Sequence, residues 1–248
     1  MLSSLYDTVK HLFAILNQMK KIFLISLVLT TTLFLRPKTI FAENVMLLIF
    51  NPVIESQNNQ KLSQFLNWSD PDQLTQQYIL DVKDSSGGVV NYQITKKLEV
   101  DGFPVKADGF KYSDETYLEC WRDHSKCHSS DSVDYYKILS DYDVCGKRNR
   151  DEIHELWIFG GPWFGYWEAV MAGLGAFWTN APPLYNSTCQ KQLHIMGFSY
   201  ERGVSEMLEN LGHRVEGTMS HLYNGWAFGY GPPSTQLPTS LTNWDKFS

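Results

Sequence analysis

The chain has 248 residues, 43% of them hydrophobic, 14% aromatic and 19% charged, with 17 Gly, 10 Pro and 4 Cys. That composition excludes a collagen, a disordered tail, a coiled coil and a cysteine-dense miniprotein, and the length is enough to bury a sizeable core. A formal net charge of −6 argues against wrapping a nucleic-acid backbone, so no nucleic-acid partner is expected.

At the N-terminus, Met19-Lys20-Lys21 is basic. Ile22 to Leu35 is apolar apart from Ser26 and Thr30-Thr31-Thr32, and Ile40-Phe41-Ala42 places a small residue before Glu43. This is the layout of a secretory signal peptide cleaved after Ala42, behind an extension over residues 1–18. The apolar run is short of the ~20 residues that a membrane helix needs. Arg36-Pro37-Lys38 also sits badly inside one, so no stable membrane span is expected after cleavage. Losing residues 1–42 removes five basic residues and one acid and leaves a net charge of −10. The expected location is secreted or periplasmic. There, Cys120, Cys127, Cys145 and Cys189 read by default as disulfides. Three pairings exist, and loop length alone favours Cys120–Cys127 with Cys145–Cys189.

Asn44 to Phe50 is a near-continuous apolar run ending at Asn51-Pro52, which reads as a strand buried on both faces. Ser69-Asp70-Pro71-Asp72 is a helix start, and Leu74, Tyr78, Ile79 and Val82 follow at helical spacing until Gly87-Gly88. Val89 to Val100 alternates, with Val90, Tyr92, Ile94 and Leu98 on one face of a strand. Residues 101–131 show no clear period. Val133 to Tyr142 reads as a helix, Ile153 to Phe159 and Leu193 to Phe198 as strands. Arg202 to Leu211 reads as an amphipathic helix with Val204, Met207, Leu208 and Leu211 inward; it either runs on through Val215 and Met219 or ends at Gly212. Residues 229–248 are a Pro/Ser/Thr-rich tail. Strands alternating with helices predict one α/β domain over 43–228, three-layered around a largely parallel sheet of flavodoxin-like or Rossmann-like type.

Open parallel sheets bind ligands beyond the carboxyl ends of their strands. That rule selects Asn51, the loop Gly160 to Glu168, and Ser199 to Gly203. Between Trp157 and Trp178 there are eight aromatics in 22 residues, and flat rings stack on sugars. Trp163, Tyr166 and Trp167 are therefore the expected substrate platform. Glu168, expected beside apolar rings, is the candidate general acid or base, with Glu201 and His213 assisting. Tyr200 and Arg202 sit at a strand-to-helix turn, where Arg202 could orient an anionic group. The alternative is structural: Glu201 answering the helix dipole and Arg202 pairing with an acid.

Glu206, Glu209, His213 and Glu216 share a helical stretch. His with carboxylates can hold zinc or move protons, which makes His213 and Glu216 the metal candidates, without a firm cofactor. Cys120 to His128 contains His124 and His128 but lacks a common zinc spacing, and reads as a disulfide-closed loop. Gly-x-Ser-x-Gly, Walker and Gly-x-Gly-x-x-Gly motifs are absent. Asn67-Trp-Ser69 and Asn186-Ser-Thr188 match glycosylation sequons, discounted behind a signal peptide of bacterial style.

The segments Gly87-Gly88-Val89-Val90-Asn91-Tyr92, Val100-Asp-Gly-Phe-Pro-Val-Lys106, Met196-Gly-Phe-Ser-Tyr-Glu-Arg-Gly203 and Gly212-His-Arg-Val-Glu216 are similar to those of a group of exported bacterial proteins. Some of that group are joined to carbohydrate-binding or other extracellular modules. The resemblance covers most of 44–226 and implies export and a chain that continues past this C-terminus; it carries no catalytic residue over. The function expected is a hydrolase acting on extracellular or envelope carbohydrate. The alternative is a non-catalytic glycan- or protein-binding module using the aromatic loop 157–178.

Overall fold

The computed structural model describes residues 41–222. Residues 1–40 of the expected extension and signal peptide (1–42), and the tail 229–248, lie outside the described residues. The chain divides into two units at Ile40/Phe41, and the described residues belong to the second.

Five strands form the sheet: β1 (Phe41–Phe50), β2 (Val90–Val100), β3 (Glu155–Gly160), β4 (Ala169–Ala172) and β5 (Leu193–Ser199). Their order is β2-β1-β3-β5-β4. All neighbours pair in parallel except β4, which runs antiparallel to β5 at the edge. The central strands are covered on both faces, which is why they read as unbroken apolar runs. β3 is buried at every position. β1 begins at Phe41, so its first two residues precede the expected cleavage point.

Helix α1 (Pro71–Ser85) starts as the sequence predicts. Asp70 accepts from the backbone N–H of Asp72 (2.8 Å) and Gln73 (3.1 Å), and Pro71 occupies the first turn, where its missing N–H has no partner to lose. Its apolar stripe carries Tyr78 onto the sheet, where the ring meets Trp157 (5.1 Å) and Phe198 (5.4 Å), while Tyr92 meets Trp157 at 4.9 Å. Helix α5 (Val204–Leu222) lies on the same face. Met207 is fully buried, with Val204, Leu208 and Leu211 packed against the core. Gly212 does not end this helix. Gly217 matters instead, because a Cβ there would come within 2.3 Å of the Thr179 carbonyl. The other face holds helices α3 (Tyr135–Asp141) and α4 (Val144–Asn149), with Tyr142 edge-on to Phe50 at 6.2 Å. The result is the expected three-layer α/β arrangement.

Three sequence expectations change. β2 carries a bulge: Val45 and Met46 face Ile94 and Lys96, leaving Thr95 over. The extra residue reverses the alternation, so Leu98 falls on the face opposite Tyr92 and Ile94 and is exposed. The stretch without a period contains helix α2 (Asp114–Arg122), started by a Ser113/Thr116 capping box. Val133 is not helical; it bridges to Lys106, and α3 begins at Tyr135.

The cysteines pair as Cys120–Cys127 and Cys145–Cys189, the pairing that loop length favours. Among the described residues, no helix is long and apolar enough to cross a membrane.

Candidate functional site

A cleft of about 440 Å³ opens across the carboxyl ends of β3 and β5, where the sheet rule places a ligand. Of the residues singled out in sequence, Trp163, Tyr166, Glu168, Glu201 and Arg202 line it. Trp121, His124 and Asp131 line it too. The Cys120–Cys127 bond closes the loop that carries Trp121 and His124, and packing against Trp163 brings that loop to the cleft. His124 lies 5.8 Å from the Trp163 ring and 6.2 Å from Trp121, ring centre to ring centre.

Trp163 is held in an unusual backbone state. Its φ is +63°, in the left-handed region that few non-glycine residues adopt. The ammonium of Lys106 donates to its carbonyl and also pairs with Asp131. The Lys106 side chain is wholly buried, and desolvation pulls its pKa down while the bond to Asp131 works in the opposite direction. The platform tryptophan is thus fixed from beneath by a buried cation. Sequence reading found no part in this for Lys106.

Glu168 stands at the cleft without the apolar surroundings expected for it. Its side chain is 42% exposed. It accepts from Asn180 Nδ2, and its Oε2 lies 3.7 Å from His213 Nε2. On the other ring edge, His213 Nδ1 is 3.2 Å from Glu216 Oε2. His213 therefore stands between two carboxylates, with Glu168 towards the cleft, and is not itself among the residues that line the cleft. The close approach of Gly217 to Thr179 sets the neighbouring Asn180 against Glu168.

Asn51, Tyr200 and Trp167 are placed elsewhere. Tyr200 is fully buried: its hydroxyl donates to the Phe50 carbonyl (3.1 Å), and its N–H donates to Gly160 O (3.1 Å). It thereby joins the ends of β1 and β3, the point where strand order reverses and where this fold class usually receives a ligand. Asn51 is separated from the cleft and lines a smaller hollow of about 110 Å³. There its amide exchanges hydrogen bonds with Ser63 (3.0 and 3.1 Å). Trp167 is 47% exposed and is not among the residues that line the cleft; its backbone N–H donates to the Tyr135 hydroxyl at 2.7 Å.

The N-terminus of α5 opens onto the cleft. Glu206 caps it, accepting from the Gly203 N–H (3.0 Å) and the Ser205 hydroxyl (2.8 Å). These bonds, the Ser205 one foremost, hold its carboxyl below the usual range. The carboxylate that answers the helix dipole is therefore Glu206, where the sequence suggested Glu201. Glu201 sits 3.7 Å from Arg202. Among the described residues, no three His, Cys, Asp or Glu side chains converge as a metal site.

Fold and cleft define an α/β protein with an aromatic, carboxylate-bearing cleft at the carboxyl edge of its sheet. No family model matches the chain, and no curated protein or solved structure is significantly similar to it.

Proposed function

We propose that the protein is exported and binds carbohydrate in this cleft, acting on it as a hydrolase with Glu168 as the proton-transfer group. The observation that carries the reading is the pairing of Trp121, Trp163 and Tyr166 with the Glu168 carboxylate in one cleft. Indole and phenol rings offer faces for sugar C–H surfaces, and carboxylates accept from sugar hydroxyls. The two disulfides support export. In the hydrolytic step, Glu168 gives a proton to the glycosidic oxygen as its bond to the anomeric carbon breaks and water adds there; the proton that the water sheds returns to Glu168 through solvent. Asn180 and His213 orient the carboxylate.

The non-catalytic reading has its own support: Glu206 is committed to the helix terminus and Asp131 to Lys106, leaving few carboxylates free to act as the second partner of a glycosidase. The two readings separate on Glu168→Gln and Trp163→Ala, assayed by calorimetric binding and by release of reducing ends. A turnover loss of about 10²–10⁴-fold in Glu168→Gln with binding retained is the hydrolase result. Unchanged turnover removes Glu168 from the role. Saturable binding without turnover in the unmodified protein, lost in Trp163→Ala, gives the binding module.

A further inference from the structure

We infer that the cleft prefers carbohydrate bearing a free amino group, a cationic sugar, over neutral and anionic ones. This rests on the carbohydrate reading above and adds a charge to it.

The aromatic wall is the first argument. Trp121 and Trp163 both neighbour His124, at 6.2 and 5.8 Å from its ring centre. Both indoles are held in place: Trp121 meets Trp68 edge-on at 4.9 Å, and the Trp163 carbonyl is fixed by Lys106. An indole face carries negative electrostatic potential and attracts an ammonium within about 6 Å of its centre. The same face stacks on a pyranose ring. An amino sugar satisfies both preferences with one residue.

The charge of the lining is the second. Four carboxylates face the cleft: Asp131, Glu168, Glu201 and Glu206. Counting Arg202 and the buried Lys106 ammonium against them leaves an excess of two negative charges. The one feature that favours an anion, the positive end of α5, is already occupied by Glu206. A uronic acid would meet this net negative charge, whereas an ammonium would meet carboxylate oxygens that still have open lone pairs. A lysine-rich peptide shares the charge but lacks the flat ring that two fixed indoles accommodate.

The test is binding of the oxidised full chain to a glycan array carrying free-amine, N-acetylated, neutral and uronic-acid oligosaccharides, with a lysine-rich peptide alongside. Free-amine glycans should bind about tenfold more tightly than their N-acetylated forms. Salt should erode that preference, and Glu201→Gln should narrow the ratio between free-amine and N-acetylated forms severalfold. Equal or better binding of N-acetylated, neutral or acidic glycans overturns the charge preference and leaves the carbohydrate reading standing. Binding of the peptide as tight as that of the amino sugars overturns the sugar as the source of the charge. No binding to any glycan, by a chain whose two disulfides and thermal transition are intact, overturns both.

Discussion

Acidification should destabilise this protein through a buried imidazole. His194 lies on β5 beside Glu155 and Arg214, and its Nδ1 is buried without a hydrogen-bond partner among the described residues. Burial, reinforced by the Arg214 charge, pushes its pKa down to about 3 from an ordinary value of 6.5. In the unfolded chain the ring takes up a proton near pH 6.5; in the folded chain it stays neutral until about pH 3. Between those values the unfolded state holds the extra proton, so stability is complete above pH 6.5 and declines as pH falls. At pH 5 the loss from this one group is about 2 kcal/mol. Between pH 6.5 and 5 the carboxyls held low by partners, Glu155, Asp151 and Glu152 among them, keep their contribution, which falls away only below their ordinary values of 4.5 for Glu and 3.8 for Asp. The assay is urea unfolding at half-unit pH steps for the protein and for His194→Gln, which cannot titrate; subtraction removes every group common to both. Parallel pH profiles for the two proteins would refute the buried neutral imidazole.

Two further substitutions probe the packing beneath the cleft. A Cβ at Gly197 would lie 2.4 Å from the Trp167 carbonyl and 2.7 Å from Tyr166 Cβ. Gly197→Ala should therefore destabilise by about 1–3 kcal/mol and displace the platform loop, read as a shift in tryptophan emission. An unchanged urea midpoint would show that the loop yields freely. Arg214→Met leaves the Glu155 carboxylate, 2.7 Å from the guanidinium, buried and unpaired; the loss should be about 3–5 kcal/mol. Adding Glu155→Gln should recover much of it, since an amide oxygen still accepts from Trp157 Nε1. Failure of that second change to restore the urea midpoint would show that the buried charge was not the cause.

The framework of the fold was legible because its strands are buried on both faces, so β1, β3 and β5 stand out as apolar runs between turn residues. β4 was not: Ala169–Ala172 is four residues long, follows an aromatic loop, and has no period of its own. The bulge at Thr95 left no mark in composition, yet it decided which face Leu98 takes. Part of the cleft followed from one rule, that loops after parallel strands carry ligands, and this located Trp163, Tyr166, Glu168, Glu201 and Arg202. The rest depended on contacts between distant segments. Trp121 and His124 arrive through a disulfide and ring packing, Asn180 through the absence of a Cβ at Gly217, and Lys106 through burial under a loop 57 residues away. Tyr200 misled because a tyrosine after a strand looks the same in sequence whether it faces a ligand or joins two strand ends.

The two disulfides differ in what their loss would reach. The bond from Cys145 to Cys189 spans 44 residues and restricts the unfolded chain by about 4 kcal/mol on a loop-entropy estimate. The bond from Cys120 to Cys127 spans seven, restricts it by roughly 2 kcal/mol, and closes the loop that presents Trp121 and His124. A mild reductant acting on the shorter bond would leave the sheet and its long staple in place while unfastening half of the aromatic wall. The two bonds therefore fix different things: the long one restricts the unfolded chain, and the short one holds Trp121 and His124 at the cleft.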